Sequence, residues 1–106
     1  MQHILGTTEF YGLEFLSDAR ALIPRPDSEI VVEMALERIS REQPAFIADL
    51  GMGSGCLLAA LLANRPLARG EGVEASDAAA TLAGENLTRL GLADRSLVHR
   101  GSWTGW

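Results

Sequence analysis

The apolar positions of this chain come in short blocks that alternate between strand-like runs and helix-like spacing, with Gly or Pro at most of the switches. Ile4 to Leu16 holds two apolar-aromatic runs broken at Gly6 and Gly12, a pattern that predicts a β-hairpin. Ala21 to Pro26 cannot be helical, because each proline drives its predecessor into extended geometry. Asp27 or Ser28 is then expected to cap a helix with Val31, Met34, Ala35 and Ile39 on its inward face, ending near Pro44. Phe46 to Leu50 reads as a buried strand, and Cys56 to Ala63 as a helix stopped by Pro66. Gly72 to Ser76 looks like a second strand that delivers Glu74 at its end. Ser76 or Asp77 starts a third helix with Ala79, Leu82, Ala83, Leu87 and Leu90 inward, weakened at Gly84 and stopped at Gly91. Ser96 to His99 completes the series as a third strand. A hairpin followed by αβαβαβ predicts an α/β fold, the first half of a parallel sheet with three strands and flanking helices.

The junction between the first parallel strand and its helix carries the chemistry. In Asp49-Leu50-Gly51-Met52-Gly53-Ser54-Gly55-Cys56, glycine at every second position lets backbone approach a ligand closely, because no Cβ intrudes. The N–H groups of the following helix point back at the same place. A dinucleotide fingerprint needs a further glycine at position 56, where this chain has Cys56. A phosphate-cradling P-loop needs a Gly-Lys pair, and the chain has no lysine. The remaining pattern, D-x-G-x-G-x-G, resembles the first motif of class I S-adenosylmethionine methyltransferases. Asp49 suits the ammonium of that cofactor and would repel a pyrophosphate. A glycine-rich turn can also serve packing alone, and an isolated Glu74 would be an ordinary surface acid. Together they read differently, since Glu74 follows the turn by about 20 residues, where a βαβ unit places its ribose-binding carboxylate.

Composition narrows the classes. At 106 residues and 47% apolar content, the chain has the size of one domain with a modest core. A net charge of −5 argues against a broad phosphate-binding surface, so nucleic acid is not the expected partner. Cys56 is the single cysteine, which rules out an internal disulfide and fits a reducing cytoplasm. No run approaches a membrane span and the first residues do not open a signal peptide. His3 and His99 have no partner in sequence and are read as structural; no metal site is expected.

The motifs taken together identify a narrower likeness. Glu9-Phe10-Tyr11-Gly12-Leu13-Glu14-Phe15, then Leu22-Ile23-Pro24-Arg25-Pro26-Asp27-Ser28-Glu29, then the Asp49 to Cys56 turn resemble the HemK family, protein-glutamine methyltransferases that modify the GGQ motif of peptide-chain release factors. Glu85-Asn86-Leu87, Leu90-Gly91-Leu92 and Gly101-Ser102-Trp103 fit the same family pattern, so the likeness covers essentially the whole chain. It implies a Rossmann-like class I fold divided into a hairpin and Pro-Arg-Pro segment (1–26) and a partial cofactor-binding domain (27–106).

The resemblance also implies roles. Asp49, Gly51, Met52, Gly53 and Gly55 would surround the methionine part of S-adenosylmethionine, with Met52 standing where relatives carry threonine. Glu74 would take the ribose hydroxyls with Ala75 beside it, and Ser102 and Trp103 would lie near the adenine. Arg25 and Pro26 would close over the methionine end, with Glu29 behind them. The family's Asn-Pro-Pro-Tyr catalytic motif is not in this sequence, so no catalytic residue is assigned and the chain by itself is expected to be inactive. An adenine-N6 nucleic-acid methyltransferase fragment and an inert cofactor-binding module are the alternatives. With no strand beyond it, the Phe46–Leu50 edge is expected to invite self-association.

Overall fold

The computed structural model describes residues 6–17, 28–50 and 52–101. Strands β1 (Gly6–Phe10) and β2 (Leu13–Ser17) form an antiparallel hairpin. Its loop is Tyr11-Gly12, with φ of 53° and 78°. Two positive φ values in a two-residue loop are the mark of a type I′ turn, whose twist matches that of the flanking strands. Phe10 and Phe15 stack edge to face at 6.3 Å, and both are buried in the same core as the helices.

Three parallel strands follow: β3 (Ala45–Leu50), β4 (Ala68–Glu74) and β5 (Ser96–Arg100), in the order β3-β4-β5. Helix α1 (Ser28–Leu36) precedes β3, α2 (Cys56–Asn64) joins β3 to β4, and α3 (Asp77–Arg89) with a short 3₁₀ turn at Ala93–Arg95 joins β4 to β5. The expected α/β architecture of hairpin, parallel strands and flanking helices is therefore present. Strand β4 begins at Ala68, earlier than its sequence suggests, since Ala68-Arg69-Gly70-Glu71 has little intrinsic strand preference. Pairing on both sides, Ile47↔Gly70↔Ser96, holds it extended.

Glycine is what lets α2 lie close on this sheet. A Cβ at Gly70 would come within 2.5 Å of Leu58 Cδ1, and one at Gly72 would land on the Met52 sulfur. Helix α3 is punctuated at both ends. Ser76 Oγ accepts the Ala79 N–H at 3.2 Å as N-cap. Leu92 N–H reaches back to Leu87 O at 2.8 Å and Gly91 N–H to Thr88 O at 3.1 Å, the paired bonds of a Schellman stop.

Helix α1 departs from expectation. Val32 and Leu36 are its buried stripe, whereas Val31 and Met34, expected inward, are 54% and 57% exposed. Residues 30–32 and 34–36 are all apolar, so periodicity cannot choose a face. The helix also ends at Leu36, well before Pro44, with the Arg65 guanidinium donating to Leu36 O at 2.7 Å and Ile39 O at 2.8 Å. A cation on the last carbonyls closes a helix favourably.

Two surfaces of the sheet stay open among the described residues. Strand β3 pairs only with β4, and the face opposite α2 and α3 exposes Phe46 (62%) and Leu97 (58%). No helix among the described residues is long and apolar enough to cross a membrane.

Candidate functional site

The carboxyl ends of β3 and β4 meet at the glycine turn. Parallel pairing in register (Asp49↔Gly72, Leu50↔Val73) brings the last residues of both strands to one end of the sheet, and the turn begins there when Met52 N–H donates to Val73 O at 3.1 Å. Gly53 (φ 55°) and Gly55 (φ 86°) then take left-handed backbone that side chains rarely adopt. Their surroundings differ. A Cβ at Gly55 would press on Ala83 at 3.3 Å, so that glycine serves helix packing. A Cβ at Gly53 would meet nothing within 4 Å, so that glycine borders open space.

Glu74 ties the turn to the sheet. Its Oε1 accepts the Gly53 N–H at 2.8 Å and its Oε2 the Ser76 N–H at 3.1 Å. A carboxylate offers about four acceptor positions, so two backbone bonds leave capacity for a ligand's hydroxyls. Ala75 follows it as an exposed residue at the rim.

Asp49 is the electrostatically costly member. It accepts from the Leu58 N–H in the first turn of α2, acting where no cap side chain is otherwise supplied. Its Oδ2 is buried and has no hydrogen-bond partner among the described residues. Burial foremost, then the Glu74 charge, raises its pKa above 3.8, and the Leu58 bond opposes them. Two carboxylates with an orphaned oxygen favour a cationic donor.

The remaining expected site residues divide. Met52 is buried, with its side chain packed over Gly72. Gly51, Arg25, Pro26, Ser102 and Trp103 lie outside the described residues. Cys56 is buried, its thiol pushed up to about 11 by burial, with Ser54 Oγ 2.9 Å from its sulfur. His99 pairs with Glu71 at 2.8 Å on the sheet. No cluster of His, Cys, Asp and Glu among the described residues could hold a metal.

No protein-family model matches the chain. Comparison with curated proteins is decisive. The chain is 56% identical over 98 residues to the release factor glutamine methyltransferase of Bradyrhizobium diazoefficiens, covering 88% of this chain and 32% of that protein. It is 46% identical over 91 residues to the one from Geobacter sulfurreducens, covering 86% and 31%. The chain is a homologue of the release factor glutamine methyltransferases. It spans about a third of the length of the curated relatives it matches.

Among solved structures, a SAM-dependent methyltransferase from Thiobacillus denitrificans in complex with S-adenosyl-L-homocysteine is similar at a TM-score of 0.66 and 25% identity, covering 83% of this chain and 34% of that one. A SAM-dependent methyltransferase from Geobacter sulfurreducens, also with S-adenosyl-L-homocysteine, gives 0.62 and 26%, covering 74% and 30%. The likeness to the HemK family and the class I fold stand on these comparisons.

Two residues carry more structure than their sequence positions suggest. Glu29, expected behind the Pro-Arg-Pro segment, accepts the Tyr11 N–H of the hairpin turn at 2.6 Å. Two of the motifs that carry the homology to these methyltransferases thus touch each other. Asn86, on the inward face of α3 among Leu82, Ala83 and Leu87, is fully buried. A polar residue at an apolar helical spacing was the available signal for it.

Proposed function

We propose that this chain is the S-adenosylmethionine-binding portion of a protein-glutamine methyltransferase acting on a peptide-chain release factor. The observation that supports it most is the placement of Asp49 and Glu74 at the carboxyl ends of adjacent strands, with the Gly53 N–H donating to Glu74 and open space at Gly53. The residues fit that cofactor. The buried Asp49 Oδ2, without a partner among the described residues, is an acceptor for its ammonium, and Glu74 has lone pairs left for its ribose hydroxyls. Glycine at position 53 lets backbone close against it, with Gly51, Met52, Gly55 and Ala75 framing the turn and Arg25, Pro26, Ser102 and Trp103 completing the site.

When bound, the cofactor supplies an electrophilic methyl group. The chain's residues would contribute orientation: Asp49 would hold the ammonium and Glu74 the ribose hydroxyls. A hairpin unit (1–26) and a cofactor unit (27–106) would then share the work of presenting the methyl and meeting the acceptor. The release factor is the proposed partner because relatives up to 56% identical over 98 aligned residues are named release factor glutamine methyltransferases. Action in the cytoplasm follows from that partner and accords with a single cysteine that can form no internal disulfide. The open β3 edge with Phe46 beside it supports self-association of the 106-residue chain. Sedimentation is expected to show concentration-dependent dimers or larger species; a monomer throughout would refute that part.

The functional test is methyl transfer from labelled S-adenosylmethionine to a release factor by a protein of the relatives' full length containing this chain. Label on the glutamine amide nitrogen, abolished by Glu74→Ala, is expected. Transfer to DNA adenine instead would overturn the protein-glutamine reading.

A further inference from the structure

The hairpin and the glycine turn lie far apart in sequence, and one buried side chain joins them. The two-residue loop makes Phe10 and Leu13 the hydrogen-bonded pair that closes the hairpin. Alternation then puts Leu16, opposite Thr7, in a pair whose N–H and C=O point away from β1. Asn86 meets both: its Oδ1 accepts the Leu16 N–H at 2.7 Å, and its Nδ2 donates to Leu16 O at 3.3 Å. The side-chain amide replaces the missing neighbouring strand. The same Nδ2 donates to Ser54 O, inside the glycine turn, at 3.0 Å. Two other side-chain hydrogen bonds to the hairpin among the described residues, Glu29 to the Tyr11 N–H and Arg89 to Glu14, do not reach the turn.

We infer that Asn86 is a positioning residue that locks the glycine turn to the hairpin, so that ligand at the turn and placement of the hairpin are one equilibrium. With all its bonds made inside a dry core, the amide is specific: an apolar residue would leave Leu16 and Ser54 groups unpaired, and Asp would lose both donors. Because the turn's shape then depends on where β2 sits, anything that displaces the hairpin loosens the turn, and ligand at the turn stiffens the hairpin by the same coupling.

The mechanical coupling stands by itself; its consequence for affinity rests on the cofactor reading above. The test is amide NMR on the ¹⁵N-labelled chain, wild type, Asn86→Ala and Asn86→Asp, with Arg95→Ala as a control. Arg95 holds Leu62 O in the last turn of α2 and Ala68 O at the start of β4, so that control lowers stability without touching the joint. In the ligand-free chain, Asn86→Ala is expected to speed hydrogen exchange at Leu16 and at Gly53 and Gly55 together. Asn86→Asp should speed it at the turn while Leu16 keeps its acceptor. Faster exchange at Leu16 alone, or equal changes in Arg95→Ala, would overturn the coupling.

Added S-adenosylhomocysteine should shift both Gly53 and Leu16 in wild type, and Gly53 without Leu16 in either Asn86 variant, with affinity lower by roughly tenfold. A Leu16 response that survives in both variants overturns the inference. If Gly53 does not respond in wild type, the cofactor reading fails while the exchange data still decide the coupling. Should Asn86→Ala not fold, Asn86→Asp, which keeps the shape and the Leu16 acceptor, carries the same comparison.

Discussion

Replacing Asp49 by Asn should make the chain more stable and worse at holding its ligand. The carboxylate has one oxygen engaged by the Leu58 N–H and the other, Oδ2, buried without a partner among the described residues, with the Glu74 charge nearby. An orphaned buried polar atom costs about 1–3 kcal/mol. Asn keeps the acceptor for Leu58 and turns the orphan into an amide that can donate to Glu74. Part of the penalty returns as ordinary desolvation of the amide, so a gain of about 1 kcal/mol at pH 7 is expected. For a domain of this size that raises the melting temperature by about 4–8 °C.

The pH dependence separates this from a packing effect. Asp49 has a raised pKa when folded, so in wild type its stabilising contribution is complete below its unfolded value of 3.8 and is lost as pH rises through the folded value. The variant is neutral throughout. Its advantage should therefore be largest at pH 7 and shrink as pH falls toward 3.8, the other carboxylates cancelling in the difference. Urea titrations of both proteins across that range measure it, and S-adenosylmethionine affinity in the variant should fall by roughly tenfold. A variant that is less stable at pH 7, or whose advantage does not change with pH, would refute the reasoning.

Two further outcomes follow from the packing. Gly72→Ala puts a methyl group where the Met52 side chain lies and should cost about 1–3 kcal/mol in chemical denaturation; Met52→Ala added to it should recover part of that loss, whereas additive losses would mean that the two do not share the space. Cys56 is buried with its thiol pushed up to about 11, so iodoacetamide at pH 8 should label it only at the rate of unfolding; fast labelling of the folded chain would contradict its burial.

What could be read in advance was local. The Asp49–Cys56 turn, the Ser76 cap and the Gly91 stop each depend on residues within one turn of themselves, and each appears where its chemistry puts it. The Tyr11-Gly12 loop is equally self-contained. Helix α1 was illegible in face and in end, because apolar residues ring it and its terminus is set by Arg65 from 29 residues away. The length of β4 comes from partners on both sides rather than from its own Ala-Arg-Gly-Glu start. The placement of Asp49 and Glu74 at the ends of neighbouring strands was legible because a βαβ unit carries its acids there. That the Met52 side chain lies over Gly72 was not legible, since nothing local says that Gly72 lies beneath it. Asn86 needed the three-dimensional neighbourhood of Leu16 and Ser54 before its polar side chain made sense.

The account rests on the turn and Glu74 forming a cofactor site. Calorimetric titration of the chain with S-adenosylmethionine, with NAD as control ligand and Glu74→Ala beside wild type, tests that directly. Saturable binding of S-adenosylmethionine, absent with NAD and lost in the variant, is the predicted result. A chain that melts cooperatively yet binds no S-adenosylmethionine, or binds it equally without Glu74, would contradict it.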